Sequence, residues 1–151
     1  MGETKQKTEK KQVPIIPGVF TMPTSSNKQP ALIGTRCRAC NEVFFRPIRE
    51  GGCPNCYEIN SMDEIDLSRV GTIDSYTIVH QAVPGWEGPV PYGVVIVKLP
   101  ENVFVEAALT ECDLNEIRVG IDAEVAIEKV CTDKEGNEVL GYKFRPLIAD
   151  S

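Results

Sequence analysis

From residue 70 onward the apolar positions come in short runs rich in β-branched and aromatic side chains: 70–79 (VGTIDSYTIV), 92–98 (YGVVIVK), 103–108, 123–130 (AEVAIEKV) and 140–144. Runs of this length and composition predict strands, because a branched or aromatic side chain packs well on a pleated surface and loses rotamer freedom in a helix. Asp133, Lys134, Glu135, Gly136 and Asn137 supply turn chemistry between the last two runs, which therefore form a hairpin. Between the third and fourth runs, Asp113 stands three residues ahead of Glu116, with Ile117 beyond and Gly120 closing the segment. That is the pattern of a short N-capped helix. Five strands with one short helix between the third and fourth is the order of a five-stranded OB-fold barrel, in which closure removes most exposed edges.

Upstream the pattern is different. Residues 13–30 hold Pro14, Pro17, Pro23 and Pro30 among Ser and Thr, together with the apolar Ile15, Ile16, Val19 and Phe20. This predicts an extended arm, and so many apolar side chains without regular structure of their own are expected to lie on a surface, the chain's own or a partner's. Residues 1–12 are Lys, Glu, Thr and Gln with no apolar core of a signal peptide, and are expected to be disordered. The chain thus divides into a basic tail and Pro-rich arm (1–31), a cysteine-bearing segment (32–60) and the barrel (61–151).

With 151 residues, 42% hydrophobic and 25% charged, the chain suits one or two small globular domains, and no apolar run approaches the roughly 20 residues that span a bilayer. The expected compartment is the reducing cytoplasm. Charge is unevenly spread within the formal total of -6. The cysteine-bearing segment has Arg36, Arg38, Arg46 and Arg49 against Glu42 and Glu50, whereas residues 58–151 carry seven basic and eighteen acidic side chains. The barrel is strongly acidic. Nucleic-acid binding, for which both ribbons and OB barrels are used, is disfavoured on this ground, because affinity for phosphate backbones comes largely from Lys and Arg.

Cys37, Cys40, Cys53 and Cys56 form two C-x2-C pairs separated by twelve residues. Each pair lets two thiolates of one tight turn reach the same ion, and the connector is long enough for a hairpin to bring the pairs opposite each other. Four protein ligands leave no open position for water or substrate, so the ion is read as one structural Zn²⁺. Rubredoxin-like iron uses the same ligands. Paired disulfides or a redox pair are the competing readings, and the lack of a secretory context argues against them.

Together the arm, the CRAC and CPNC pairs, VGTIDSYTIVH, PYGVVIVKLP, VGIDAEVAIEKV and the terminal GYKFRP resemble an acyl-CoA-associated OB-fold family with an N-terminal rubredoxin-like zinc ribbon. The resemblance covers about residues 31–147. Members serve as small accessory subunits of thiolases and enoyl-CoA hydratases, and the zinc-finger subunit of benzoylsuccinyl-CoA thiolase, from aromatic-compound degradation, is of this kind. Many relatives place Gly after each second cysteine, where this chain has Asn41 and Tyr57. Asn tolerates left-handed backbone and Tyr does so poorly, so the second knuckle is expected to be distorted.

The resemblance implies a non-catalytic subunit of a heteromeric complex, with a larger thiolase-like chain as first expectation and a hydratase as the alternative. The residue inventory agrees: there is one histidine, His80, and neither Cys112 nor Cys131 has a histidine near it in sequence to activate it. Coenzyme A carries phosphates that Arg binds through paired N–H donors, which makes Arg36, Arg38, Arg46 and Arg49 candidates for its contact. Ion pairing with the acidic barrel is the competing reading for each. Trp86, in the Gly- and Pro-rich loop 82–91, and Tyr92 are candidate partner contacts or the plug of one barrel end.

Overall fold

The structure, a computed structural model, describes residues 11–22, 29–84, 86 and 88–147. The expectation of a disordered tail falls mainly on residues 1–10, outside these. The described residues form β1 (Gln12–Pro14), β2 (Ile33–Cys37), β3 (Val43–Phe44), β4 (Met62–Asp66), β5 (Val70–Val79), β6 (Tyr92–Lys98), β7 (Phe104–Ala108), β8 (Asp122–Thr132) and β9 (Glu138–Pro146). A single 3₁₀ turn spans Leu114–Glu116. The fold is mainly β: a small sheet ordered β3-β2-β4 carries the cysteines, and a six-stranded sheet ordered β1-β9-β8-β5-β6-β7 carries the barrel.

Strands β5 to β9 have OB connectivity. The long β5 pairs antiparallel with β6 along its length and with β8 at its start, and β8 and β9 form the expected hairpin. Its turn is held by the Asp133 carboxylate, which accepts from Glu135 N–H (2.9 Å), Asn137 N–H (2.8 Å) and the Asn137 amide (3.1 Å), while Gly136 takes φ 82°. The last seam is narrow: β7 meets β9 through one parallel bridge, Leu109 to Phe144, with Thr110 N–H donating to the Phe144 carbonyl at 2.9 Å. The barrel is open beside that bridge, and the arm takes the start of the same edge of β9. β1 runs parallel to it, Gln12 opposite Glu138 and Pro14 opposite Leu140.

Alternation along the strands sorts the side chains. Val95, Val97 and Leu99, Val105, Ala123 and Val125, and Leu140 and Phe144 turn inward with Ile73. Burying one such aliphatic or aromatic side chain contributes about 1.5–3 kcal/mol. The arm joins this core: Val19 and Phe20 are buried in the same cluster as Leu32, Leu67 and Phe144. It folds back along residues 31–33, with Thr21 N–H donating to the Ala31 carbonyl (2.8 Å) and Ile33 N–H to the Val19 carbonyl (2.7 Å). The surface on which the arm lies is its own. Arg69 fastens it from the barrel side by donating to the Pro30 carbonyl, and also faces Glu124, which Arg145 binds at 2.5 Å while reaching Glu111 at 2.8 Å.

The segment expected to be helical shortens to one turn. Asp113 caps it as expected, its carboxylate accepting from Asn115 N–H at 3.0 Å, but Ile117 is drawn into the core (4% exposed) and leaves the turn in extended backbone. Among the described residues no helix is long and apolar enough to cross a membrane.

Candidate functional site

The two C-x2-C turns are built alike. In the first, the Cys37 carbonyl accepts from Asn41 N–H (2.8 Å) and Cys37 N–H donates to the Glu42 carbonyl (2.9 Å); in the second, Cys53 does the same with Tyr57 (2.8 Å) and Glu58 (2.9 Å). Asn41 and Tyr57 close the turns at φ 64° and 66°. The second knuckle is therefore not distorted; the unfavourable conformation is carried by Tyr57 itself. β2 ends in Cys37, and the turn into β4 returns Ser61 beside it.

These turns bring four sulfurs together, all within 4.8 Å of one another, with Cys37 Sγ 3.6 Å from Cys56 Sγ and Cys40 Sγ 3.7 Å from Cys53 Sγ. A tetrahedral ion with metal–sulfur bonds of about 2.3 Å spaces its ligand sulfurs about 3.8 Å apart, so the four can hold one metal ion such as zinc. Cys37 and Cys53 are buried and Cys40 and Cys56 partly exposed. Hydrogen bonds reach the sulfurs from outside: the Ser61 hydroxyl lies 3.1 Å from Cys37 Sγ, and Asn55 directs its backbone N–H to Cys53 Sγ (3.4 Å) and its side-chain amide to Cys40 Sγ (3.5 Å).

The thiols are driven apart in acidity. Ser61, helped by the N–H groups of Cys40 and Ala39, holds Cys37 down at about 6, and the Asn55 amide with the Glu42 N–H lowers Cys40. At Cys56 the Glu58 N–H works downward, yet burial and the other three sulfurs prevail and push the thiol up to about 12. Four sulfurs this close resist becoming four thiolates unless a cation neutralises them, and a bound metal inverts the local balance. Sequence reasoning found the four cysteines and missed Ser61 and Asn55. Asn55 lies inside CPNC, where its polarity was a usable signal; Ser61 reaches the site only through the path of the chain into β4.

A second feature lies where the ribbon meets the open seam of the barrel. Phe45 and Arg46 from the ribbon connector, Trp86 and Tyr92, Val94, Glu106, Ala107 and Ala108 from β6 and β7, and Tyr142 from β9 line a groove of about 540 Å³. Trp86 stacks on Tyr92 with ring centres 4.0 Å apart and planes at 19°, and Lys143 Nζ lies 5.0 Å from the Trp86 ring centre. The indole N–H donates to the Pro89 carbonyl at 3.1 Å. Tyr142 meets Phe45 edge to face at 5.7 Å. The groove offers flat aromatic faces together with one guanidinium, from Arg46, and one carboxylate, from Glu106, a set suited to a ligand with a planar or apolar body.

The model of the ChsH2 C-terminal OB-fold domain matches residues 64–128. A DUF35 domain-containing scaffold protein of Pyrococcus furiosus is 36% identical over 119 residues, 78% of this chain and 84% of the relative. One of Methanocaldococcus jannaschii is 33% identical over 117 residues, 77% and 82%. The chain belongs to the DUF35 domain-containing family. Among solved structures, a chain of the Ltp2-ChsH2(DUF35) aldolase shares the fold at a TM-score of 0.63, with 24% identity over 78% of this chain and 86% of that one.

Within this DUF35 chain the four ribbon arginines have different surroundings. Arg38 binds Asp63 and donates to the Asn60 carbonyl at 2.5 Å. Arg49 donates to the Gly18 carbonyl at 2.7 Å and lies 3.3 Å from Glu64, which ties ribbon to arm. Arg36 is exposed on β2, and Arg46 alone of the four lines the groove with Trp86 and Tyr92. The GYKFRP motif is explained by position: Phe144 fills the core, Arg145 bridges two glutamates, and Tyr142 and Lys143 face the groove and its indole.

Proposed function

We propose that this chain is a zinc-stapled, non-catalytic accessory subunit of an acyl-CoA-processing complex whose larger partner is a thiolase. The observation that carries the reading is kinship with DUF35 scaffold proteins, each matched over more than three quarters of its own length. The solved neighbour points the same way, since it is named as an aldolase, an enzyme that breaks a carbon–carbon bond beside a carbonyl as a thiolase does. Thiolysis of a 3-oxoacyl-CoA, such as benzoylsuccinyl-CoA, needs a nucleophilic cysteine and a base, which in this reading the larger subunit supplies. The one histidine here, His80, stands exposed just past β5.

The small subunit in turn orders the entrance to the active site. Arg46 meets a coenzyme A phosphate while Trp86 and Tyr92 wall its passage, and the zinc holds the ribbon connector that presents Arg46. Arg38 and Arg49 have structural partners and serve the ribbon and arm instead.

Purification of the native complex at moderate salt, with identification of the co-purifying chain and a zinc assay on the same sample, tests this. A stoichiometric thiolase with one zinc per small chain is the expected result. Recovery of the chain alone, or with a non-acyl-CoA enzyme, overturns it.

A further inference from the structure

The Lys143 side chain is only 13% exposed, so most of it is withdrawn from water. A lysine stem normally carries its charge out to solvent, and a withdrawn ammonium needs partners. Two are present. Glu128 Oε1 lies 3.2 Å from Nζ, a diagonal neighbour on the paired strand, since Lys143 stands opposite Ala126 and Glu128 opposite Gly141. The Trp86 ring centre lies 5.0 Å from the same Nζ, within the range of a cation–π contact. Glu128 is itself 35% exposed, so pairing with it does not require the ammonium to leave solvent; the indole does.

Trp86 stands in a loop of Gly and Pro between β5 and β6. Its indole N–H is spent on the Pro89 carbonyl of the same loop, a bond that does not reach the barrel. The ring is tied to the barrel by its stack on Tyr92, the first residue of β6, and by the ammonium of Lys143 on β9. Stacking holds the ring by one face, and the ammonium adds an electrostatic hold from another strand. The ring matters to two spaces. Trp86 and Tyr92 line the groove with Arg46, and they also line a cavity of about 240 Å³ with Glu111, Glu128 and Lys143. Where the indole stands therefore decides the shape of both. Glu111 is already bound by Arg145, which leaves Glu128 to orient the lysine.

We propose that Lys143 is a positioning residue: held by Glu128, its ammonium keeps the Trp86 indole on Tyr92 and so fixes one wall of the groove. That the wall guides coenzyme A rests on the accessory-subunit reading above; that Lys143 places it does not. Trp86 is the only tryptophan of the chain, so intrinsic fluorescence of the full-length, zinc-loaded protein reports on this ring alone. Lys143→Met keeps much of the stem and removes the charge, while Lys143→Arg keeps a cation that also sits well on an indole face. Expected for Lys143→Met are a rise of about twofold in the acrylamide quenching constant and loss of the near-ultraviolet circular dichroism of the Trp86–Tyr92 pair, both restored by Lys143→Arg. Quenching and dichroism at wild-type values in Lys143→Met, whatever its melting temperature, reduce Lys143 to an ion-pair partner of Glu128 and overturn the proposal. A ring disturbed equally in both variants assigns the effect to packing of the lysine stem and overturns it too. If Lys143→Met does not fold, Lys143→Gln, which keeps a donor for Glu128 without the charge, is read against the same outcomes. In the assembled complex, Lys143→Met should raise the apparent KM for free coenzyme A with kcat held. An indole released without that rise keeps the positioning role and overturns the passage of coenzyme A along the groove.

Discussion

Replacing Cys40 by Ser removes one of four sulfurs that lie within 4.8 Å of one another, its own 3.7 Å from Cys53 Sγ, a spacing that matches a tetrahedral ion. The expected outcome is loss of bound zinc, from one per chain to near none by elemental analysis, with unfolding of the ribbon, since metal binding in small ribbons supplies about 10–16 kcal/mol of apparent folding free energy. Asp133 gives a second prediction at this scale. The Asn137 N–H first, then its side-chain amide and the N–H groups of Glu135 and Gly136, hold its carboxyl below the usual carboxylate range. A depressed folded value means that the ionised carboxylate favours the folded state above its unfolded pKa, and that this contribution fades as pH falls through the folded one. Asp133→Ala should therefore melt below wild type at pH 7, with the difference shrinking below about pH 4, as followed by circular dichroism. Both sites were legible in the sequence because their chemistry is local: two C-x2-C pairs and a D-x-x-G-N turn need no knowledge of the fold. Ser61 and Tyr142 were not, since each reaches its place only after distant segments have folded.

Among the elements, runs 70–79 and 92–98 coincide with β5 and β6, while β8 and β9 extend beyond the expected spans because pairing continues after the apolar pattern fades into Lys, Glu and Arg. The arm was legible as an extended apolar segment. That it would add a parallel strand to β9 was not, because three residues of Gln, Val and Pro carry no pairing signal. Its role predicts a measurable coupling. Phe20, 3% exposed and edge to face with Tyr142 at 6.3 Å, lies outside the barrel sequence yet inside the common core. Phe20→Ala should lower stability by about 3–5 kcal/mol in urea unfolding. A loss below about 1 kcal/mol would show that the arm merely rests on the barrel. Gly71 has a different constraint: a Cβ there would lie 2.6 Å from the Lys98 carbonyl oxygen, so Gly71→Ala must push β5 from β6 and lower the melting temperature.

Across the whole molecule, the basic ribbon and acidic barrel were legible from charge alone, but the groove between them was not, because it takes residues from the ribbon connector, a loop and three barrel strands. If coenzyme A passes there, Arg46→Glu should raise the complex's apparent KM for free coenzyme A roughly tenfold, the cost of about one charge-assisted hydrogen bond. Melting temperature should hold, since Arg46 is exposed; Arg49→Glu, which would also release Gly18, should lower it. Unchanged kinetics would return Arg46 to solvent.

The pairing of β1 with β9 joins the first and last strands of the described chain. During synthesis the arm emerges long before the strand that receives it, so Val19 and Phe20 lack their full setting until the terminal hairpin has left the ribosome. The four cysteines, by contrast, span only a short stretch and can close as soon as they are made. If the four cysteines take up a metal ion, the nascent chain can thus acquire it before its barrel is complete, and a shortage of that ion would be felt at the ribbon before the barrel has closed.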